Sequence, residues 1–404
     1  MTEIPVSIVV VSRNRPQALI RCLTGISQLR YAPFEVVVVA DTSGLDAVRR
    51  WPPGTDLKTV AFNAPNIAAA RNLGIAAAAG QVVAFLDDGA VPEPSWLAHL
   101  TVAFRDPNVG IAGGYVRGRD GISWQSRAQS VDLAGQARDL RITGDRPVVL
   151  TPSPGRAIKT DAANMAIRRR VIARIGGFDP NLHAFLDDRD VNLRLAAHSV
   201  ATAIVPLAVV HRGDGSHGPD RPPRDLTQLG ASWAVFLGKH CPELNAADIW
   251  QGIQASERRR LLRHMVAGEL EPRDVRRLMA GLRHGYGLGH ERQPLDMAPI
   301  QAARDPFRRY PANPDRPGIT LSGRLWSAAR LRRRAEENAA AGRVPSVYLF
   351  SPTAARHRVS YNAGGFWEHR GGLFGKSLPA DPGFRLWRFR TRVAREVRLW
   401  TAYR

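Results

Sequence analysis

Four short, continuously apolar runs dominate the first part of the chain: VSIVVVS (6–12), FEVVVVA (34–40), TVAF (59–62) and QVVAFLD (81–87). A strand that is apolar at every position must be covered on both faces, and such runs separated by helical patterns are the mark of a parallel α/β sheet. The intervening segments agree. Pro16 holds a favoured first helical position and sets Leu19, Leu23 and Ile26 on one face, and an Ala-rich stretch over 66–79 is closed by Gly80. In open sheets of this kind ligands bind outside the carboxyl ends of the strands. Those ends carry Ser12 to Arg15, Asp41, Asn63 and the pair Asp87 and Asp88, beside helix N-termini that favour bound phosphate. Position alone therefore predicts a nucleotide-type site.

Further along, VGIAGGYV (109–116) reads as a strand, 118–157 as irregular and polar, and DAANMAIRRRVIARI from 161 as helical. FLDDRDVNLRLAAH (185–198) and a last strand, ATAIVPLAVVH, lead to His211, and the Gly- and Pro-rich GDGSHGPDRPPRD (213–225) reads as a linker or mobile loop. The pattern is then mainly helical to about 285, Pro-rich and loop-like to about 318, helical through LWSAARLRRRAEEN, and less regular over 344–380. Two parts are expected, 1–220 and a basic, mainly helical 221–404.

Charge divides the same way. Residues 1–220 hold 24 Lys and Arg against 20 Asp and Glu, whereas 221–404 hold 33 against 16. Such an excess points to an anionic partner: nucleic acid, a phospholipid surface or an anionic glycan. No nucleic-acid-binding motif accompanies it, so nucleic acid is not the expected partner. Residues 381–404 form a candidate amphipathic helix, with Leu386, Phe389, Val393, Val397 and Trp400 at spacings of three and four among seven arginines. That stripe suits either a helix on an anionic membrane surface or one docked on the protein. The N-terminus lacks the features of a signal peptide and no run reaches the roughly 20 apolar residues that span a bilayer, so a cytoplasmic protein is expected, at most peripheral on the inner face of the membrane. Cys22 and Cys241 show no metal-type spacing and read as reduced thiols.

The ordered series SIVVVSRNRP, FEVVVVADTSG, NIAAARNLGIAAAAG, FLDDGAVP, ANMAIRRRVIARIGGFD, LDDRDVNLRL and AVVH resembles the family 2 glycosyltransferases, inverting enzymes of the GT-A fold that use nucleotide-sugar donors. The likeness covers about the first 215 residues and stops before 225. It implies an α/β, Rossmann-like, mostly parallel sheet, here with a mainly helical C-terminal extension.

On that resemblance Ser12, Asn14 and Arg15 contact the nucleotide, Arg71 lies near it, and the base-contacting acid is expected at Ala40, with Asp41 one residue late. Asp187, Asp188 and Asp190 match the family's second acidic motif, and Asp188 matches the base that deprotonates the acceptor hydroxyl. Asp190 and Arg194, four apart on a helix, are expected to pair. Asn164 is read either as facing donor or acceptor hydroxyls or as a buried structural amide.

The stretch AFLDDGAVPEPSWL departs from the pattern, because Gly89 stands where the family's metal-ligating acid is usual. Three readings stand. Asp88 holds a divalent cation, Mn²⁺ or Mg²⁺, with His211 at the strand end as second ligand; or arginines neutralise the donor diphosphate without metal; or Asp87 and Asp88 merely end a strand. The leading expectation is transfer of a sugar to a glycan or lipid-linked acceptor in bacterial surface polysaccharide or lipopolysaccharide assembly. The alternatives are a catalytically degenerate nucleotide-binding relative and a sugar nucleotidyltransferase, whose Gly-rich basic loop SRNRP lacks.

Overall fold

The computed structural model describes residues 3–213, 221–241 and 243–404. Its first half begins β1 (Val6–Ser12), α1 (Pro16–Ile26), β2 (Phe34–Ala40), α2 (Thr42–Arg50), β3 (Lys58–Ala61), α3 (Ile67–Ala77) and β4 (Val82–Asp87). β2, β3 and β4 join β1 in a parallel array. Alternation along β1 feeds two cores: Val6, Ile8 and Val10 face one apolar layer with Leu19 and Leu23 of α1, and Val9 faces the other with Ala68 and Ile75 of α3.

β5 (Ala90–Pro92), α4 (Trp96–Val102), β6 (Val109–Arg117), the short β7 (Trp124–Ser126), β8 (Gln129–Asp132), β9 (Ala137–Asp139), β10 (Val148–Leu150) and β11 (Arg156–Lys159) follow, then β12 (Met165–Arg168), α5 (Arg169–Arg174), α6 (Asp187–Ala197) and β13 (Ala201–Arg212). Two expectations change here. The segment 118–157, expected to be irregular, contains β7 to β10 and the first half of β11. Residues 165–168, expected to be helical, form β12 and pair antiparallel with both β4 and β6, because the gap between those strands is filled only by an extended segment. The result is a mixed, mostly parallel α/β sheet ordered β10-β13-β6-β12-β4-β1-β2-β3, the architecture expected of a GT-A fold.

The C-terminal half carries α7 (Thr227–His240), α8 (Glu243–Val266) and α9 (Pro272–His290). Trp233, Phe236 and Leu237 of α7 pack on Leu182, Leu186 and Leu193, so this helix roofs the start of α6. A strap then runs across the first half: Ile300 N donates to Ala173 O, Arg308 N to Glu35 and Tyr310 N to Phe34 O.

Besides the small sheet β11-β8-β9, β14 (Gly318–Arg324), β15 (Val344–Ser351), β16 (Arg358–Asn362) and β17 (Phe366–Gly372) build a four-stranded sheet with α10 (Ala328–Ala340) packed on it, and β15 to β17 fall where 344–380 had read as less regular. α11 (Phe389–Trp400) closes it. The apolar stripe of α11 is spent on this sheet: Phe389, Val393 and Val397 pack with Tyr348 and Phe350, and Trp400 is buried beside Trp367. The docked alternative is thus the one observed. Of the expected stripe only Leu386, 76% exposed and ahead of the helix, faces outward. Among the described residues no helix is long and apolar enough to cross a membrane.

Candidate functional site: an aspartate and arginine cluster at the strand ends

The ends of β1 and β4, the start of α1 and the first turn of α6 converge on one cluster. Asp88 accepts from Ser12 Oγ at 2.8 Å and from Arg15 Nη1 at 2.5 Å. Asp87 accepts from Arg71 Nη2 at 3.1 Å and from Arg212 Nη2 at 2.5 Å. Arg71, buried on α3, also bonds Asp187 and so ties the two acidic motifs together. Asp188 keeps 19% of its side chain exposed, with Lys159 Nζ 3.6 Å away. Leu186, just before the helix, has φ +65° and Asn14 has φ +56°. Left-handed backbone at residues other than glycine is rare, and here it turns the chain so that Asp187 and Arg15 enter the same space.

Electrostatics separates the acids. Burial pushes Asp88 up to about 6 despite the neighbouring Arg15. Burial likewise raises Asp187 to about 6, against the pull of Arg71. Asp87 keeps 30% of its side chain exposed, and against the upward push of burial Arg212 and Arg71 hold it below the usual carboxylate range.

Several expected residues do structural work. Asp41 caps α2, accepting from Gly44 N at 2.9 Å and from Asn14 N at 3.0 Å, so its oxygens are taken up by backbone rather than left for a base. Asn164 is wholly buried and fully engaged, with Trp96 Nε1 donating to it and its amide donating to Tyr115 O and Ala208 O. Its hydrogen-bonding groups are taken up inside the protein, as the structural-amide reading has it. Asp190 and Arg194 pair at 2.7 Å, and Asp190 also binds Lys239 and His240 of α7. Arg194 further donates to Ile175 O and Gly177 O, so the pair anchors α6. Cys22 and Cys241 are free and buried.

His211 corrects the expected metal site. Neighbouring strand residues project to opposite sides, and it is Arg212 that reaches the aspartates. His211 Nε2 instead meets Glu93 at 2.7 Å, and its ring lies 4.7 Å from that of Trp367 and 5.6 Å from that of Trp400. The oxygens of Asp87 and Asp88 are already engaged by guanidinium and hydroxyl donors. Among the described residues no three His, Cys, Asp or Glu side chains gather to hold a metal ion. This donor set does not fit a divalent cation.

Sequence reasoning missed Arg212, Lys159, Glu93 and Arg404. Strand alternation next to His211 was the one signal for Arg212. Lys159 fell between the segment read as irregular, 118–157, and the one read as helical from 161, and the Glu93–Arg404 pair spans 311 residues of sequence.

The first half of the chain is similar to known proteins. Residues 4–229 match the family model described as glycosyltransferase like family 2. Over 213 residues the chain is 30% identical to the pre-mycofactocin glycosyltransferase of Mycobacterium tuberculosis, covering 51% of this chain and 42% of that protein. Over 247 residues it is 26% identical to the O-antigen biosynthesis protein RfbC of Myxococcus xanthus, covering 58% of this chain and 19% of that one. The chain thus spans less than half the length of either relative. Among solved structures, a mannosyltransferase from Pyrobaculum calidifontis in complex with GDP-Man and Mn²⁺ superposes at TM-score 0.45 and 18% identity, covering 72% of this chain and 89% of that one. The family match takes in more than half of the chain, and the chain belongs to the glycosyltransferase-like family 2.

Proposed function

We propose that this protein transfers a sugar, with inversion, from a nucleotide-sugar donor to a hydroxyl of a glycan or lipid-linked acceptor, in the assembly of a bacterial surface glycan. The observation that carries the reading is Asp188: a partly exposed carboxylate on the first turn of α6, one residue from the Asp187 that Arg71 links to the donor-side pair. A base in that place takes the acceptor proton while the hydroxyl attacks the anomeric carbon opposite the leaving diphosphate. Glycan chemistry is supported by the names of the two relatives, both of which point to glycosylation or surface-polysaccharide assembly.

Where a divalent cation is bound in such a site, it offsets the charge that grows on the departing diphosphate. Here no step is assigned to one, because the donor set does not fit it. The test is Asp188→Asn. The variant is expected to fold and to bind nucleoside diphosphate as the parent does while losing about 10²–10⁴-fold in transfer, the usual worth of a positioned base. Retention of most activity would place the base elsewhere. Loss of nucleotide binding with the fold intact would make Asp188 a donor ligand.

A further inference from the structure

We propose that the donor diphosphate is held by arginines in place of a metal, with Asp87 and Asp88 acting as anchors for those arginines and not as ligands. The inference rests on the donor-site reading above and says which groups of that site take the negative charge.

Gly89 carries the argument. A Cβ built on it would lie 3.0 Å from Arg15 Nη2 and 3.5 Å from Nη1. A side chain at 89 would therefore meet the flexible end of Arg15 and push its guanidinium aside by a few tenths of an ångström. With glycine there, the guanidinium lies against the strand end where the acid is usual, and supplies a cation carried by the protein itself.

The remaining contacts fit that exchange. Each aspartate holds one partly exposed arginine: Asp88 bonds Arg15, 28% exposed, and Asp87 bonds Arg212, 22% exposed. A guanidinium has five N–H donors in a fixed fork. Arg15 gives Nη1 to Asp88 and Arg212 gives Nη2 to Asp87, which leaves donors on both for phosphate oxygens. Arg71 is nearly buried and bridges Asp87 to Asp187, so it fixes the frame and is not counted among the phosphate contacts.

Helix ends point the same way. The N-terminus of α2 is capped by Asp41, and that of α3 by Asn66 and the carbonyl of His183. The first turn of α6 carries three aspartates. Arg15 itself stands at the N-cap of α1, where no side chain caps the backbone N–H groups and Pro16 follows. The positive end of that helix dipole adds to the guanidinium charge.

The same cations then serve in the reaction. As the anomeric C–O bond breaks, its electron pair goes to the diphosphate oxygen, and fixed guanidiniums stabilise that charge without a metal having to bind or leave.

The test is calorimetric titration of the full chain with UDP, GDP and ADP, each in EDTA and again in Mn²⁺. One diphosphate is expected to bind with affinities that agree within about twofold in the two buffers. Arg15→Gln is expected to weaken that binding about tenfold or more in EDTA, since it removes charge-assisted bonds, with thermal melting of the free variant confirming that it folds. Tenfold or greater strengthening by Mn²⁺ in the parent protein would overturn the inference and leave the donor site standing. Unchanged affinity in a folded Arg15→Gln variant would overturn it as well. Absence of binding by any diphosphate in either buffer would remove the donor site itself, and the arginine clamp with it.

Discussion

Two ionic clusters flank the end of β13, and they begin at consecutive residues. Arg212 enters the cluster at the strand ends, where Asp87, Asp188 and Arg15 remain partly reachable by solvent. His211 enters a second cluster at the seam between the ten-stranded and the four-stranded sheet, where Glu93 is wholly buried and Arg404 binds it through two nitrogens, at 2.8 and 3.0 Å. Trp367 and Trp400 close that second cluster, with the Arg404 guanidinium 4.2 Å from one ring and 4.8 Å from the other. Both use the same chemical parts. The difference is access: an open cluster can trade a protein partner for a ligand, and a sealed one can only hold the sheets together.

Breaking the sealed cluster should therefore cost more stability than breaking the open one. Glu93→Gln strands the buried guanidinium of Arg404 and is expected to lower stability by roughly 3–5 kcal/mol. Asp87→Asn leaves Arg212 free to turn toward water and is expected to cost roughly 1–2 kcal/mol while weakening nucleotide binding. Denaturant titration of the two variants compares them directly, and equal losses would abolish the distinction.

Acid and base should separate the clusters by sign. Burial alone would raise the Glu93 carboxyl, but Arg404 and His211 hold it down to about 2, below its usual 4.5. Its contribution is present above pH 4.5 and is lost as pH falls toward 2. Asp88 is raised from 3.8 to about 6, so its folded form prefers the proton and stability declines as pH rises through that window. Thermal melting across both windows should show Glu93→Gln flattening the lower slope and Asp88→Asn part of the upper one, where Asp187 also contributes. The smallest effect expected is that of Lys159→Met. Loss of that cation, 3.6 Å from Asp188, should lower the transfer rate by roughly two- to fivefold, the worth of a partly exposed ion pair. An unchanged rate would detach Lys159 from the base.

What the sequence made legible follows the same division. The apolar runs of β1, β2 and β4 gave the sheet, and the acids and arginines at their ends gave most of the open cluster, because each lies within a few residues of a recognisable strand end. β12 hid behind helix-forming residues and became a strand through pairing on both sides. β16 and β17 were obscured by glycines and charges that only a covering helix makes tolerable. The sealed cluster was illegible altogether: Glu93, His211, His369 and Arg404 lie far apart in the chain, and no local pattern forecasts their meeting. His211 was drawn to the wrong side because nothing in its own segment states which way a strand-end side chain turns.

The strap across the first half sets an order of events during synthesis. Glu35 is wholly buried, and its carboxylate is shared among Ser7, the amide of Ala79, Lys58 and the amide of Arg308, the last supplied 273 residues later. While a ribosome is still making that stretch, the edge near Phe34 waits without its cover and Tyr310 has yet to stack on Phe34. Contacts that close so long a loop form late and slowly. A nascent chain of this kind passes through a stage in which all strands of its first sheet have been made and one flank is still uncovered, which is when chaperones have most to hold.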